Sequence, residues 1–378
     1  MNAYLVFGLN RPLNEMIIMK EDWFKVILYL VVAVVLCTQA VAASPDADHM
    51  EALGEFAATI AMDELGFEYG SPDVVVLTDA GRAVVDGQTT EKAISGITKI
   101  SGLQNSDNTL FQINRADWKD LWFYFYDRDT GKGLYLEPKE SYFKLSDGAV
   151  ESLSPENAFS TISPVTGDIY QMLDDTNAGN ATQKALGGNA FSLLSLSNGW
   201  AYGAPYDLMY AASLHDHFCP GVSSGYIIVK YVEENLPLTD GGSYTVISNP
   251  TWCKEDLYPT LWDMTPGKGG VASSVVFTDE DEEYLTNEYG IRPAGIFVLW
   301  DRQSNSGKGI ALGFQFDETE WTGPSWGEKI YMTAEMVQNL DNPGDYIKVM
   351  KEFTVDRDTL SELNDPLNNP YEVIGMMQ

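Results

Sequence analysis

The sequence predicts an α+β protein in which helices pack on mostly antiparallel sheets and the chain consists of two related halves. Apolar strands that flank polar, glycine-containing turns indicate β-hairpins at 124–136 and at 298–312. Apolar residues at helical spacing indicate helices at 51–65 and at 221–236. Because hairpins alternate with helices, antiparallel layers are favoured over a doubly wound parallel sheet.

The elements recur in the same order along the chain. After the first helix come a strand at 74–77, a helical stretch that ends at Ile100, and the first hairpin. After the second helix come a strand at 244–247, a helical segment at 253–264, and the second hairpin. We therefore predict an internal duplication in which loop insertions shift the offset between the halves. Chance similarity between hairpins is the alternative.

Length and charge exclude several classes of protein. The chain has 378 residues, which suggests two domains, and its 23 Lys and Arg against 55 Asp and Glu give a net charge of −32. This charge repels phosphate backbones, so we expect no nucleic-acid partner. Because 44% of the residues are hydrophobic, the chain can bury real cores. The acidic run at 279–283 is expected to be a solvated loop.

Residues 1–43 predict a signal peptide for export, with Met19 as an alternative start. Lys25 precedes an apolar run at 26–37, and 40–43 supply the small residues of a cleavage site. This run is shorter than the roughly 20 residues that cross a bilayer, so no membrane span is expected after cleavage. The expected location is extracellular or at the cell surface, and an uncleaved segment would anchor the chain in the membrane.

Three segments are expected after the signal peptide. Residues 44–150 form the N-terminal half, 151–206 connect the halves, and 207–378 form the C-terminal domain. The connecting segment is assigned from its prolines, its paired glycines and a polar stretch at 174–184.

The residues that carry chemistry cluster at one point. His215, His217 and Cys219 fall within five residues, in the sequence His-Asp-His-Phe-Cys-Pro-Gly. In an extended segment alternate side chains share a face, so these three groups would converge. Pro220 suits the first turn of a helix, which would place Cys219 where the helix dipole lowers the pKa of a thiol. Imidazole and thiolate are preferred zinc ligands, with other transition metals as alternatives.

The motif at 215–221 resembles the signature of the FmdE family of formylmethanofuran dehydrogenase, which is His-x-His-x-Cys-Pro-Gly at the start of a helix. A second family motif, Cys-x-x-Asp followed by Cys-Thr-x-Gly-Lys-Gly, is similar to 253–256 and 264–269, with Met264 in place of the family's second cysteine. The resemblance covers roughly 208–312. It implies a metal-binding protein, with zinc as the usual metal.

The resemblance also implies roles for individual residues. The metal ligands would be His215, His217, Cys219 and Cys253, and Cys253 would close the coordination shell. Asp216 or Asp256 would orient a ligand imidazole. Lys268 matches the lysine of the second motif, although a glycine-flanked lysine is also typical of a hairpin turn.

The family's pathway is not expected to transfer with the site. FmdE proteins are named for an association with the enzyme complex that reduces carbon dioxide in methanogenic archaea, and that reaction is cytoplasmic. An exported member cannot readily belong to that complex. No Cys-x-x-Cys pairs follow the second motif, so the zinc ribbon of some members is absent from this sequence.

The first half provides an internal comparison. At an offset of 166 to 167 residues His49 matches His215, and the other three ligand positions are occupied by Glu51, Leu53 and Asp86. Such a half cannot hold a thiolate site. We expect it to be a degenerate copy that serves packing or forms part of a ligand groove.

Three functions stay open from the sequence, and whether the protein is an enzyme is one of the open points. The first is a metal-binding protein of unknown substrate. The second is an enzyme with Cys219 as nucleophile and His217 as base, with Asp256 and Lys268 as further catalytic residues. The third is a surface binding or structural protein in which Cys219 and Cys253 form a disulfide. A small-molecule ligand and a homodimer are the partners considered.

Overall fold

The computed structural model describes residues 46–316 and 321–378, and residues 48–378 form one compact unit. The predicted signal peptide at 1–43 lies outside the described residues. Within the described ranges, no helix combines the length and the apolar character needed to cross a bilayer. Helices and two mostly antiparallel sheets confirm the α+β class.

The first sheet is built from the N-terminal part of the chain. Its elements, in order, are α1 (Asp46–Leu65), β1 (Val74–Thr78), β2 (Val84–Val85), β3 (Gln88–Thr89), α2 (Lys92–Ser101), β4 (Leu110–Gln112), β5 (Phe123–Asp127), β6 (Lys132–Pro138), α3 (Asp147–Glu151) and β7 (Phe159–Thr166). The strand order is β4-β1-β5-β6-β7, and β2 and β3 pair separately. Strands β1 and β4 are parallel, and the other neighbours in this sheet are antiparallel.

Four helices follow the first sheet: α4 (Ile169–Asp174), α5 (Thr176–Leu186), α6 (Ala190–Ala201) and α7 (Tyr206–Leu214). The polar stretch at 174–184 forms most of α5, because the carboxylate of Asp175 accepts hydrogen bonds from the backbone N–H groups of Asn177 and Ala178 at the start of this helix.

The second sheet belongs to the C-terminal part of the chain. Its elements are α8 (Pro220–Asn235), β8 (Gly242–Ile247), a 3₁₀ turn (Cys253–Asp256), α9 (Leu257–Leu261), β9 (Val271–Ala272), α10 (Asp279–Tyr289), β10 (Arg292–Asp301), β11 (Ser306–Phe314), α11 (Glu328–Gln338), β12 (Ile347–Val355), α12 (Arg357–Leu363) and α13 (Pro370–Val373). The strand order is β12-β11-β10-β8-β9, with β8 and β9 parallel.

The expectation of a loop at 279–283 was wrong, because this run begins α10. The side chain of Thr278 accepts a hydrogen bond from the backbone N–H of Asp281 at 3.3 Å, and the Asp281 carboxylate accepts one from the backbone N–H of Thr278 at 2.8 Å. This reciprocal cap starts the helix. The remaining carboxylates lie in its first turn, where the helix dipole stabilises negative charge.

The two sheets share one topology. In each, a helix leads into a strand that has a parallel neighbour on one side and three successive antiparallel strands on the other. The leading helices also make the same close approach. A Cβ on Gly54 of α1 would overlap the backbone oxygen of Ala93, and one on Gly225 of α8 would lie 2.8 Å from the backbone oxygen of Lys254.

The duplication itself stays a prediction, but these glycines define how the leading helices correspond. Matching Gly54 to Gly225 gives an offset of 171 residues. At that offset His49 corresponds to Pro220, not to His215. The residue-by-residue match of His49 to His215 is therefore not the one that the helices support.

The inner face of the first sheet belongs to the same core as the start of α8. Alternate residues of β1 face opposite sides, and Val74 and Val76 pack with residues of α1 and α2. Val75 and Leu77 lie in a core that also contains Phe218 and Cys219. The N-terminal part of the chain therefore forms a wall beside the His/Cys motif.

We expect Gly54→Ala to lower the free energy of unfolding by about 1–3 kcal/mol, the usual cost of overpacking a buried site. The added methyl would push α2 away from α1, since it would overlap the backbone of Ala93. Gly148→Ala is the matched control, because that helical glycine has open space around it. Urea unfolding measures both variants, and equal stability of the two would contradict the packing described.

Candidate metal centre

The motif that begins at His215 lies in a turn between two helices. His215 follows α7 with a helical backbone, Asp216 has a left-handed backbone with φ of 73°, and Cys219 is extended, with φ of −129° and ψ of 165°. The expectation of an extended segment was therefore wrong. Aspartate is among the few residues that adopt the left-handed region readily, and this reverses the chain. The two imidazole rings lie 4.3 Å apart between centroids.

The fourth group, Cys253, is brought in by the 3₁₀ turn that follows β8. A Cβ on Gly221 would lie 3.0 Å from the Cβ of Cys253 and 3.3 Å from its Sγ. This is tighter than ordinary van der Waals contact, so a larger residue at this position would displace Cys253 by a few tenths of an ångström. The glycine after Pro220 thus has a steric role in forming the site.

Four side chains converge on one point and could hold a metal ion. The donor atoms of His215, His217, Cys219 and Cys253 all lie within 4.8 Å of one another. In a tetrahedral zinc site, bonds of about 2.0–2.3 Å place neighbouring donors roughly 3.3–3.8 Å apart, so small side-chain movements would suffice. His215 Nε2 is buried without a hydrogen-bond partner in the described part of the chain. A metal ion would supply the partner that this atom lacks.

Asp256 orients one of the imidazoles. Its Oδ2 lies 2.6 Å from His215 Nδ1, which leaves Nε2 for the cluster. A carboxylate behind a ligand histidine fixes the ring and makes the ligand more basic. Burial opposes a charge on this ring, but the Asp256 carboxylate and the Cys253 sulfur outweigh burial and raise the pKa of His215 to about 9. Of the two carboxylates that the sequence offered for this role, Asp256 makes the contact.

The pKa values of the two thiols are shifted in opposite directions. The Cys219 thiol and both imidazoles lie beside the Cys253 sulfur and lower the pKa of Cys253. The neighbouring Cys253 sulfur, together with burial, raises the pKa of Cys219, although backbone N–H groups at the start of α8 act in the opposite direction. The helix terminus thus acts on Cys219 in the expected direction, but the net pKa of this thiol is raised, not lowered as expected. Cys253 carries the negative charge of the pair.

Both cysteines are free in the structure. The disulfide that the sequence left open is therefore not what the structure contains. Cys219 is buried, whereas Cys253 is partly exposed. The site can thus be reached from solvent on the Cys253 side.

Lys268 lies in an exposed turn. It ends the 3₁₀ turn Pro266–Lys268 and forms an ion pair with the carboxylate of Asp263, with more than half of its side chain exposed. Met264, which replaces the family cysteine, is buried in the core of the C-terminal part. The structure thus brings Asp256, but not Lys268, against the cluster.

Sequence reasoning missed groups from the N-terminal part of the chain. Arg115 Nε lies 3.9 Å from Asp216 Oδ1, and the ring of Phe191 lies 5.1 Å from that of His217. Arg115 also lies 3.6 Å from the buried carboxylate of Asp79. Only tertiary structure joins these residues to the motif, and no local pattern marks them.

Comparison with known proteins bears on part of the chain. No curated protein matches it. The model of one family, described as "FmdE, Molybdenum formylmethanofuran dehydrogenase operon", matches residues 214–339, a third of the chain. The matched segment contains all four residues of the cluster and Asp256, and it extends past the 208–312 expected from the motifs. Residues 214–339 are therefore similar to the FmdE family.

Proposed function

We propose that the protein is an exported metal-binding protein that holds zinc through His215, His217, Cys219 and Cys253. The observation that carries this proposal is the convergence of the four donor atoms within 4.8 Å. The unpaired, buried Nε2 of His215 supports it, because an imidazole nitrogen in that position needs a partner. Two imidazoles and two thiols are a donor set that zinc prefers.

The residues around the cluster would each assist metal binding. Asp256 holds His215 in the orientation that presents Nε2, and Gly221 allows Cys253 to come close. Cys253 is the thiol that ionises more readily, so it would be the first sulfur ready to bind. Zinc held by four protein side chains would link the turn at 215–219 to the turn at 253–256. That is the arrangement of a structural site, with no ligand position left open.

We expect purified wild-type protein to contain one zinc ion per chain by elemental mass spectrometry, and Cys219→Ala and His215→Ala to contain almost none. Each change removes a donor from the cluster. His49→Ala is the matched control, because His49 is a buried histidine that contacts Asp147 instead of the cluster. Equal zinc in wild type and Cys219→Ala would contradict the proposal.

A variant of Asp256 distinguishes a residue that orients a metal ligand from the ligands themselves. Asp256→Ala should keep the four donors but weaken zinc affinity by about 10–100-fold in competition with a chromophoric chelator. Asp263→Ala, which removes the exposed partner of Lys268, should leave the affinity unchanged.

A second candidate function, thiol chemistry, is favoured by the charge on Cys253. Its sulfur is partly exposed and lies within 4.8 Å of donor atoms of both imidazoles and of Cys219, which lower its pKa. This differs from the sequence-based alternative, in which Cys219 was the nucleophile. The buried Cys219, with its raised pKa, fits the role of a proton donor better.

We expect both thiols to be protected from iodoacetamide in the zinc-loaded protein, and Cys253 to react first after chelation. After chelation Cys219→Ala should label fast and Cys253→Ala slowly, since the thiolate is the reacting form. Rapid labelling of wild-type protein that contains no metal would favour thiol chemistry. Labelling that requires a reductant would identify a disulfide and contradict both functions.

Export is the remaining part of the proposal. It is supported by the apolar run at 26–37 with small residues after it, and by a net charge of −32, which suits a soluble exterior protein. Intact mass of the protein made in a secreting host should show a chain that begins near residue 44. A full-length chain in the cell interior would contradict export without affecting the metal site.

A further inference from the structure

A polar cluster from the N-terminal part of the chain lies beside the metal centre. Asp79 directly follows β1, and Arg115 lies three residues after β4. Because β1 and β4 are parallel neighbours, the loops after their carboxyl ends meet at one edge of the first sheet. Here the edge faces Asp216, between the two ligand histidines.

Arg115 lies close to one carboxylate in each of the two parts of the chain but forms a hydrogen bond with neither. Its Nη1 lies 3.6 Å from Asp79 Oδ2, and its Nε lies 3.9 Å from Asp216 Oδ1. Both distances are longer than a hydrogen bond. The Arg115 side chain is only 15% exposed, so little solvent reaches it. It therefore holds the two carboxylates near each other by charge, and the facing oxygen of each is left without a hydrogen bond.

Three buried polar atoms around Arg115 have no hydrogen-bond partner in the part of the chain that the structure describes. They are Asp79 Oδ2, Asp216 Oδ1 and Trp122 Nε1. The side chain of Asp79 has no exposed surface, and its other oxygen accepts a hydrogen bond from the backbone N–H of Trp122 at 3.0 Å. The carboxylate is thus fixed with one oxygen unused. The two carboxylate oxygens make only long ion pairs with Arg115, and the Trp122 ring lies 5.8 Å from its guanidinium carbon. Buried polar atoms of folded proteins nearly always have a hydrogen-bond partner, so three without one beside one arginine indicate a missing partner.

We propose that Asp79, Arg115, Trp122 and Asp216 form a binding subsite for a small ligand that carries a primary carboxamide. The amide N–H₂ group donates to the carboxylates, and its carbonyl oxygen accepts from the indole N–H and the guanidinium. A carboxylate ligand has no N–H group and meets two carboxylates against one arginine. An amine ligand has no acceptor for the indole. This subsite goes beyond the proposed metal centre and does not require zinc to be bound.

The subsite also explains why an N-terminal half without metal ligands is packed against the motif. Asp216 belongs to the motif, whereas Asp79, Arg115 and Trp122 lie outside residues 214–339. A bound carboxamide would therefore contact both parts of the chain next to His215 and His217.

Fluorine NMR of the full chain labelled with 5-fluorotryptophan tests the proposal. Trp122→Phe identifies the Trp122 resonance, and acetamide, acetate and methylammonium serve as probes. We expect acetamide to shift this resonance saturably, and the other two probes to bind at least about fivefold more weakly because each lacks half of the hydrogen bonds. An equal response to acetate, or no response to any probe, would overturn the proposal.

Asp79→Asn is the decisive variant. It keeps an oxygen for the backbone N–H of Trp122 but replaces the unused oxygen with an N–H₂ group, so acetamide should bind about tenfold more weakly or worse. Asp127→Asn is the control, since Asp127 is a buried carboxylate of the same sheet whose partners are Asp129 and Thr130. If Asp79→Asn binds acetamide like wild type, the subsite is wrong.

Two further measurements keep the outcome clear. The other tryptophan resonances report whether each variant is folded, and Arg115→Met provides a second variant, expected to lose the response, should Asp79→Asn unfold. Zinc analysis of the same samples separates the two proposals. A zinc-free wild-type protein that binds acetamide would support the subsite and contradict only the metal centre.

Discussion

The close approach of the first turn of α8 to the turn at 253–256 is the constraint on which the site depends. A Cβ on Gly221 would crowd the Cβ of Cys253 at 3.0 Å, and with glycine there the sulfur of Cys253 lies within 4.8 Å of that of Cys219. The arrangement concentrates two thiols and two imidazoles in a partly buried space. Their protons are then shared instead of solvated, which is why the pKa of one thiol falls while that of the other rises.

The sequence could predict the features that depend on residues close together along the chain. The hairpins follow from apolar strands around polar turns, and the helix after Cys219 follows from Pro220 and helical periodicity. The convergence of His215 and His217 was expected for the wrong geometric reason. The prediction relied on side chains that alternate between the two faces of an extended segment, whereas the left-handed backbone of Asp216 turns the chain. Charge alone predicts a solvated loop for the acidic run at 279–283. The reciprocal cap at Thr278 makes it the start of a helix instead.

What the sequence could not predict depends on sheet topology. Arg115 and Asp216 are about 100 residues apart, and they meet because β4 lies parallel to β1 at the edge of the first sheet. No spacing rule relates a residue after a short strand to a residue in a distant turn. The same limit applies to Asp79, whose position directly after β1 carries no sign of its buried, half-satisfied carboxylate.

The two parts of the chain use one topology for different purposes. At the start of α1, His49 is buried and contacts the carboxylate of Asp147, and it belongs to no cluster of metal donors among the described residues. At the start of α8 the corresponding position adjoins four donors. A metal ion enclosed by four protein ligands has no free position for a substrate. Under the two proposals, a ligand would then be recognised by groups beside the metal, and the inner edge of the first sheet carries buried donors and acceptors without hydrogen-bond partners.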